Sequence, residues 1–175
     1  MHASLSGGVA AAILMATATV SASAADKPSD AQIAHIAYVA GDIDVKAAKL
    51  ALKKSKNESV RAFADNMVRD HTAVNEKALA LVKKLNVTPE DNETSKSLVK
   101  QAEQKRAELS KLSGAAFDRA YVDNEVTFHG TVNGALETTL IPSASNAELK
   151  SLLRTGLKVF LGHKHHAEQL ADKLN

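Results

Sequence analysis

Proline spacing limits the fold of this chain more than any other feature. Its 175 residues contain three prolines, and after Pro28 only Pro89 and Pro142 occur. Proline removes a backbone donor and clashes with the preceding turn, so a long helix does not run through it. The stretches between these prolines carry apolar residues at helical spacing. They allow helices of about 25–30 residues, roughly 40 Å long at 1.5 Å per residue.

The first helix is expected from Asp30 to Lys54, with Ser29 or Asp30 as its cap. Ile33, Ala37, Ala40, Asp44, Ala47 and Ala51 share one stripe of it. A second helix is expected from Glu58 to Leu85, capped by Asn57, with Ala64, Met67, His71, Val74 and Ala78 facing inward. A shorter, highly charged third helix should span Asn92 to Leu112 and form part of a crossover. The fourth should run from Ala115 to Leu140, with Phe117, Tyr121, Glu125, Phe128 and Val132 on its stripe and His129 beside it. After a loop at Ile141–Ser145, the last helix should run from Asn146 to Leu174. Short loops make sequential helices antiparallel. The expected fold is therefore all-α: a ferritin-like antiparallel four-helix bundle with an additional shorter helix, formed as one domain by residues 26–175.

Composition agrees. Aromatic residues make up 3% of the chain and Trp is absent, which disfavours strands. The 22 basic and 20 acidic side chains nearly balance at +2, without the basic patch that nucleic-acid binding requires. The densest basic cluster, Lys53, Lys54 and Lys56, falls at a helix C-terminus, where cations favour the dipole. With no cysteine, disulfides and thiolate chemistry are excluded.

Residues 1–25 carry no Asp, Glu, Lys or Arg. The apolar run Val9 to Val20, followed by Ala22, Ser23 and Ala24, has the form of a secretory signal peptide cleaved after Ala24 or Ala25. The expected location is the periplasm or cell envelope. No later segment is apolar enough to span a membrane.

The inner stripes carry unusual polar groups. His71, His129 and His163 fall on or beside the stripes of three helices. Glu125 lies one turn before His129, and Asp44 occupies the first stripe. Buried charges must be paired, hydrogen-bonded or metal-bound. Ferritin-like di-metal sites use Glu-x-x-His pairs, whereas this chain has Glu125-x-x-x-His129. Two readings stay open: a structural His/carboxylate network that locks bundle register, or a single Zn, Cu or Fe ion held by His71, His129, His163, Glu125 and Asp44. His165 and His166 are expected to be solvated, and Asp70 to be a surface carboxylate. Gly130 and Gly134 should mark a close backbone approach. No hydrolase, phosphate-loop or zinc-protease motif occurs, so the chain does not read as an enzyme.

Ala40-Gly41-Asp42-Ile43-Asp44-Val45, Val60-Arg61-Ala62-Phe63-Ala64, Met67-Val68-Arg69-Asp70-His71 and Phe117-Asp118-Arg119-Ala120-Tyr121, together with His129 and His163, resemble an exported bacterial family. That family is known as domain of unknown function 4142, and its first-helix acid is more often Glu than Asp. The resemblance implies export and a ferritin-like helical fold, and no activity. Two functions follow as expectations. One is a non-enzymatic envelope stress or interaction module, with a protein partner or self-association. The other is a metal-binding bundle.

Overall fold

The computed structural model describes residues 27–174. The signal segment expected at residues 1–25 lies outside them. Six helices follow in order: α1 (Asp30–Lys54), α2 (Glu58–Lys84), α3 (Glu93–Ser110), α4 (Gly114–Ala135), the single turn α5 (Ile141–Ser143) and α6 (Ala147–Leu174). No strand occurs among the described residues.

The helix ends follow local chemistry. The Ser29 side chain accepts from the Gln32 backbone N–H while the Gln32 side chain accepts from the Ser29 N–H. This reciprocal box satisfies two otherwise orphaned donors. Asn92 and Ser95 form the same reciprocal box at the start of α3, while the Asn57 side chain accepts from the Ser59 and Val60 N–H groups to cap α2. Asn146 accepts from the N–H groups of Glu148 and Leu149 to start α6.

α1, α2, α6 and α4 form a ring in which each helix packs against the next. Contacts at the ends fix their directions. Lys84 at the end of α2 meets Glu148 at the start of α6. Arg119, early in α4, donates to the Leu174 carbonyl at the end of α6. Neighbours in the ring are thus antiparallel, and the chain runs up, down, down and up. α3 is the crossover, lying outside the ring and parallel to α1. Asn92 at its start donates to the Gln32 carbonyl, and Lys54 donates to the Ser110 carbonyl at its end.

The expected fourth helix stops short as an α-helix. Leu136–Leu140 form a π turn that leads into α5. Pro142 has no N–H to continue the α ladder. The wider turn keeps both Leu136 and Leu140 buried. The loop expected at Ile141–Ser145 thereby shrinks to the residues after Ser143.

The core has two apolar layers. One contains Ala48, Val60, Phe63, Met67, Phe117, Tyr121 and Ala167. The other contains Ile33, Ile36, Leu136, Leu140, Leu149, Leu153 and Phe160. On each bundle helix a polar residue separates the two: Asp44 on α1, His71 on α2, Glu125 and His129 on α4, His163 on α6.

At Gly41 on α1 the α2 side chain Asn75 fills the space a Cβ would need: an added Cβ would lie 2.4 Å from Asn75 Oδ1. The approach expected at Gly130 and Gly134 does not occur. A Cβ at Gly130 would lie 3.6 Å from the Lys164 side chain, and one at Gly134 would meet nothing within 4 Å. Both positions turn toward the edge of α4 rather than into a helix crossing.

Candidate metal centre

The polar layer brings all five expected residues together. Asp44, His71, Glu125, His129 and His163 are all buried. The three imidazole rings form a triangle, with centroids 5.5 Å apart for His71 and His129, 5.1 Å for His71 and His163, and 5.6 Å for His129 and His163. One nitrogen from each can be chosen so that all three lie within 4.8 Å of one another. Asp44, Glu125 and His129 form a second such group, which shares His129.

Hydrogen bonds assign the protons. His129 Nδ1 lies 3.0 Å from the Glu125 carbonyl oxygen, which can only accept, so Nδ1 carries the proton and Nε2 carries the lone pair. That Nε2 is buried and has no protein partner. His163 Nε2 donates to Asp70 Oδ2 at 3.0 Å, which leaves the lone pair on Nδ1. His71 Nε2 sits 3.2 Å from that Nδ1 and donates to it. The opposite nitrogen, His71 Nδ1, lies 3.5 Å from Asp44 Oδ2.

Burial governs the charge states. It pushes His71 down to about 2 and His129 down to about 4, with neighbouring imidazoles adding to each shift. His163 is lowered for the same reason, against the pull of Asp70. Burial raises Glu125 to about 7 and holds Asp44 well above its ordinary range, helped by the nearby Glu125 carboxyl. At neutral pH the imidazoles are uncharged, the form that ligates metal.

Asp70 corrects the sequence reading. It forks onto Arg69 at 2.8 and 3.1 Å and also receives the His163 N–H. Arg69, first, and His163 hold its carboxyl below the usual range. It lies at the edge of the α2 stripe, where periodicity reads as surface, but that edge faces α6. Two further contributors were not singled out from sequence. Phe160 stacks on His71 with centroids 4.6 Å apart and planes 7° apart. The Tyr121 hydroxyl is buried without a partner, and burial and then the two carboxyls raise its pKa. His165 and His166 are exposed as expected, with the His166 ring against the Phe63 edge at 5.1 Å.

The donor set fits a transition-metal ion. Two nitrogens on a tetrahedral ion with bonds of about 2.0 Å stand about 3.3 Å apart, close to the 3.2 Å between His71 Nε2 and His163 Nδ1. In a purely hydrogen-bonded network a protonated Asp44 can serve His71 Nδ1 and the Glu125 carboxyl, but His129 Nε2 is left without a partner.

Comparison with known proteins bears on the fold and the family. A family described as "Domain of unknown function (DUF4142)" matches residues 15–170. No curated relative matches the chain. Among solved structures, one described as "CopM in the Cu(II)-bound form" is similar, with a TM-score of 0.65 and 11% identity. The match covers 85% of this chain and 99% of that one. At that identity the likeness shows a shared helical fold.

Proposed function

The chain belongs to the DUF4142 family, and from that premise we propose that it is an exported transition-metal-binding bundle of the bacterial envelope. Its ion would be held by His71, His129 and His163, with Asp44 and Glu125 alongside. The observation that carries this reading is the lone pair on His129 Nε2, buried and without a proton donor, in a ring whose centroid lies 5.5 and 5.6 Å from those of two other imidazoles. Zinc, copper and iron all accept imidazole. Copper is the first to test, because the structural neighbour is described as holding Cu(II).

An ion bound here supplies positive charge beside two carboxyl groups that burial otherwise keeps protonated. The chain's own residues do the rest. Asp70 and the Glu125 carbonyl fix the tautomers of His163 and His129, as outer partners of metal-ligating histidines commonly do. Asp44 stands where it can receive a proton on His71 Nδ1, which would free Nε2 as a donor atom. The five candidate ligands are all buried. Holding or carrying an ion suits such a site better than turnover.

The alternative of a stress or interaction module gains no support from the surface. The exposed large apolar residues Leu79, Val99 and Leu161 are single side chains on three different helices, which is ordinary for a soluble protein.

The test is elemental analysis of untagged protein purified from the periplasm, followed by titration of chelator-stripped protein with Cu(I), Cu(II), Zn(II) and Fe(II). One ion per chain is expected. Its binding should stabilise the fold by about 2.7 kcal/mol at a free concentration a hundred times Kd. His129→Ala should abolish that gain. No bound metal and identical melting with every ion and with chelator would refute the proposal.

A further inference from the structure

Beyond the polar layer, toward the start of α1, the bundle is not filled. A cavity of about 550 Å³ lies between α1, α2, α4 and α6. That volume is well inside the range of roughly 300–1,000 Å³ typical of small-molecule pockets. Its walls are apolar, with Ala40, Val74, Val132, Leu153 and Phe160 among them. On α6 the lining runs from Leu149 to Phe160, a rise of about 16 Å at 1.5 Å per residue. The space is therefore elongated along the bundle axis. Phe160 closes its inner end and separates it from His71.

The residues lining the cavity include one charged side chain, Lys27, which is exposed. Gln32, Asn75 and Asn92 also line it, but the Gln32 and Asn92 amides are engaged in helix capping, so Lys27, shortly before the start of α1, is the anchor for a charged head. An elongated apolar chamber with a single cation toward one end is complementary to an amphiphile with one chain and an anionic head.

We propose that this cavity binds a free fatty acid, its hydrocarbon chain lying along α6 toward Phe160 and its carboxylate at Lys27. The proposal does not depend on the metal reading, because none of the five candidate ligands lines the cavity.

The experiment uses delipidated protein with chelator present throughout, so that metal binding and fatty-acid binding fail or succeed separately. Palmitate is titrated and followed by native mass spectrometry and by displacement of an environment-sensitive fluorophore. One palmitate per chain is expected, with weaker uptake of cetyltrimethylammonium, which has the same chain and a cationic head. Lys27→Glu, at an exposed side chain, should weaken palmitate about tenfold and narrow or reverse that preference. Val132→Trp should fill the chamber and abolish uptake of both amphiphiles. The proposal is overturned if wild type takes up no palmitate, or if neither variant changes its uptake. Extraction of intact phospholipid from phosphatidylcholine vesicles without uptake of free palmitate would also overturn it.

Discussion

The polar layer makes the stability of the metal-free chain depend on pH from both sides. Acidification acts through the imidazoles. His71 and His129 titrate at about 2 and about 4 in the fold, against 6.5 when exposed. As pH falls through 6.5 the unfolded chain takes up two protons that the fold refuses, so stability is lost. Alkalinisation acts through the carboxyls. Glu125 is raised from 4.5 to about 7, and Asp44 is raised well above 3.8. The fold keeps protons that the unfolded chain has released, so this contribution is present at low pH and is lost as pH rises through the folded values. Each unmatched proton changes stability by about 1.4 kcal/mol per pH unit. Between about pH 4.5 and 6.5 the two imidazoles are opposed by Glu125, with Asp44 acting in the same sense as Glu125, so the slopes offset one another. His163, shifted in the same sense as the other imidazoles, tilts that plateau upward toward 6.5. From about 6.5 to 7 Glu125 lowers stability at up to about 1.4 kcal/mol per unit, and Asp44 acts in the same sense. Below about 4 His71 still differs, joined by Asp70, whose carboxyl is held below its ordinary range, and stability goes on falling at about 1.4 kcal/mol per unit or more. The assay is urea unfolding of chelator-stripped protein at constant ionic strength, with the midpoint followed across this range. Glu125→Gln should flatten the initial alkaline slope. A stability that climbs steadily through pH 8, or an alkaline slope unchanged in the Gln variant, would refute the reasoning.

Three other substitutions probe the scaffold. Gly41→Ala should destabilise by about 1–3 kcal/mol despite a helix-propensity gain of about 1 kcal/mol, because the new Cβ meets Asn75 at 2.4 Å. Adding Asn75→Ala should recover part of the loss in a double-mutant cycle, and a single variant more stable than wild type would contradict the close approach. Phe63→Ala should cost about 3–5 kcal/mol in chemical denaturation, since Phe63 is fully buried against Tyr121. Asp30→Ala should cost about 1–2 kcal/mol, because its carboxylate accepts the N–H groups of Ser145 and Asn146 and ties the start of α1 to the start of α6. An unchanged melting temperature would show that clasp to be idle.

The helices and their inner faces were legible because periodicity reports the direction in which a side chain points. Their starts were legible because Ser29, Asn57 and Asn92 are capping residues. Depth was not legible from spacing alone. His71, His129 and His163 meet because loop lengths and end contacts such as Lys84 to Glu148 set the axial offset between helices. Asp70 was misread for a related reason: a stripe edge faces solvent or a neighbour according to where the next helix lies. Gly130 and Gly134 have the spacing of a crossing motif, but such a motif needs a partner backbone opposite, and α6 presents the Lys164 side chain instead. The π turn at Leu136–Leu140 and the cavity beside it depend on how four faces fit together, which no single face encodes.

The seam between α2 and α6 sets how fast the polar layer communicates with solvent. Asp44, His71, Glu125 and His129 are sealed, whereas His163 is reached through Asp70, which is 29% exposed. Arg69 lies on that carboxylate, so the doorway carries a positive charge on its outer side. Passage along this seam would part His163 from Asp70 while the two helices separate locally. Exchange at the interior would then follow the opening rate of one seam rather than diffusion. Its residence times would be governed by the packing of α6 against α2, and only secondarily by the strength of the bonds inside.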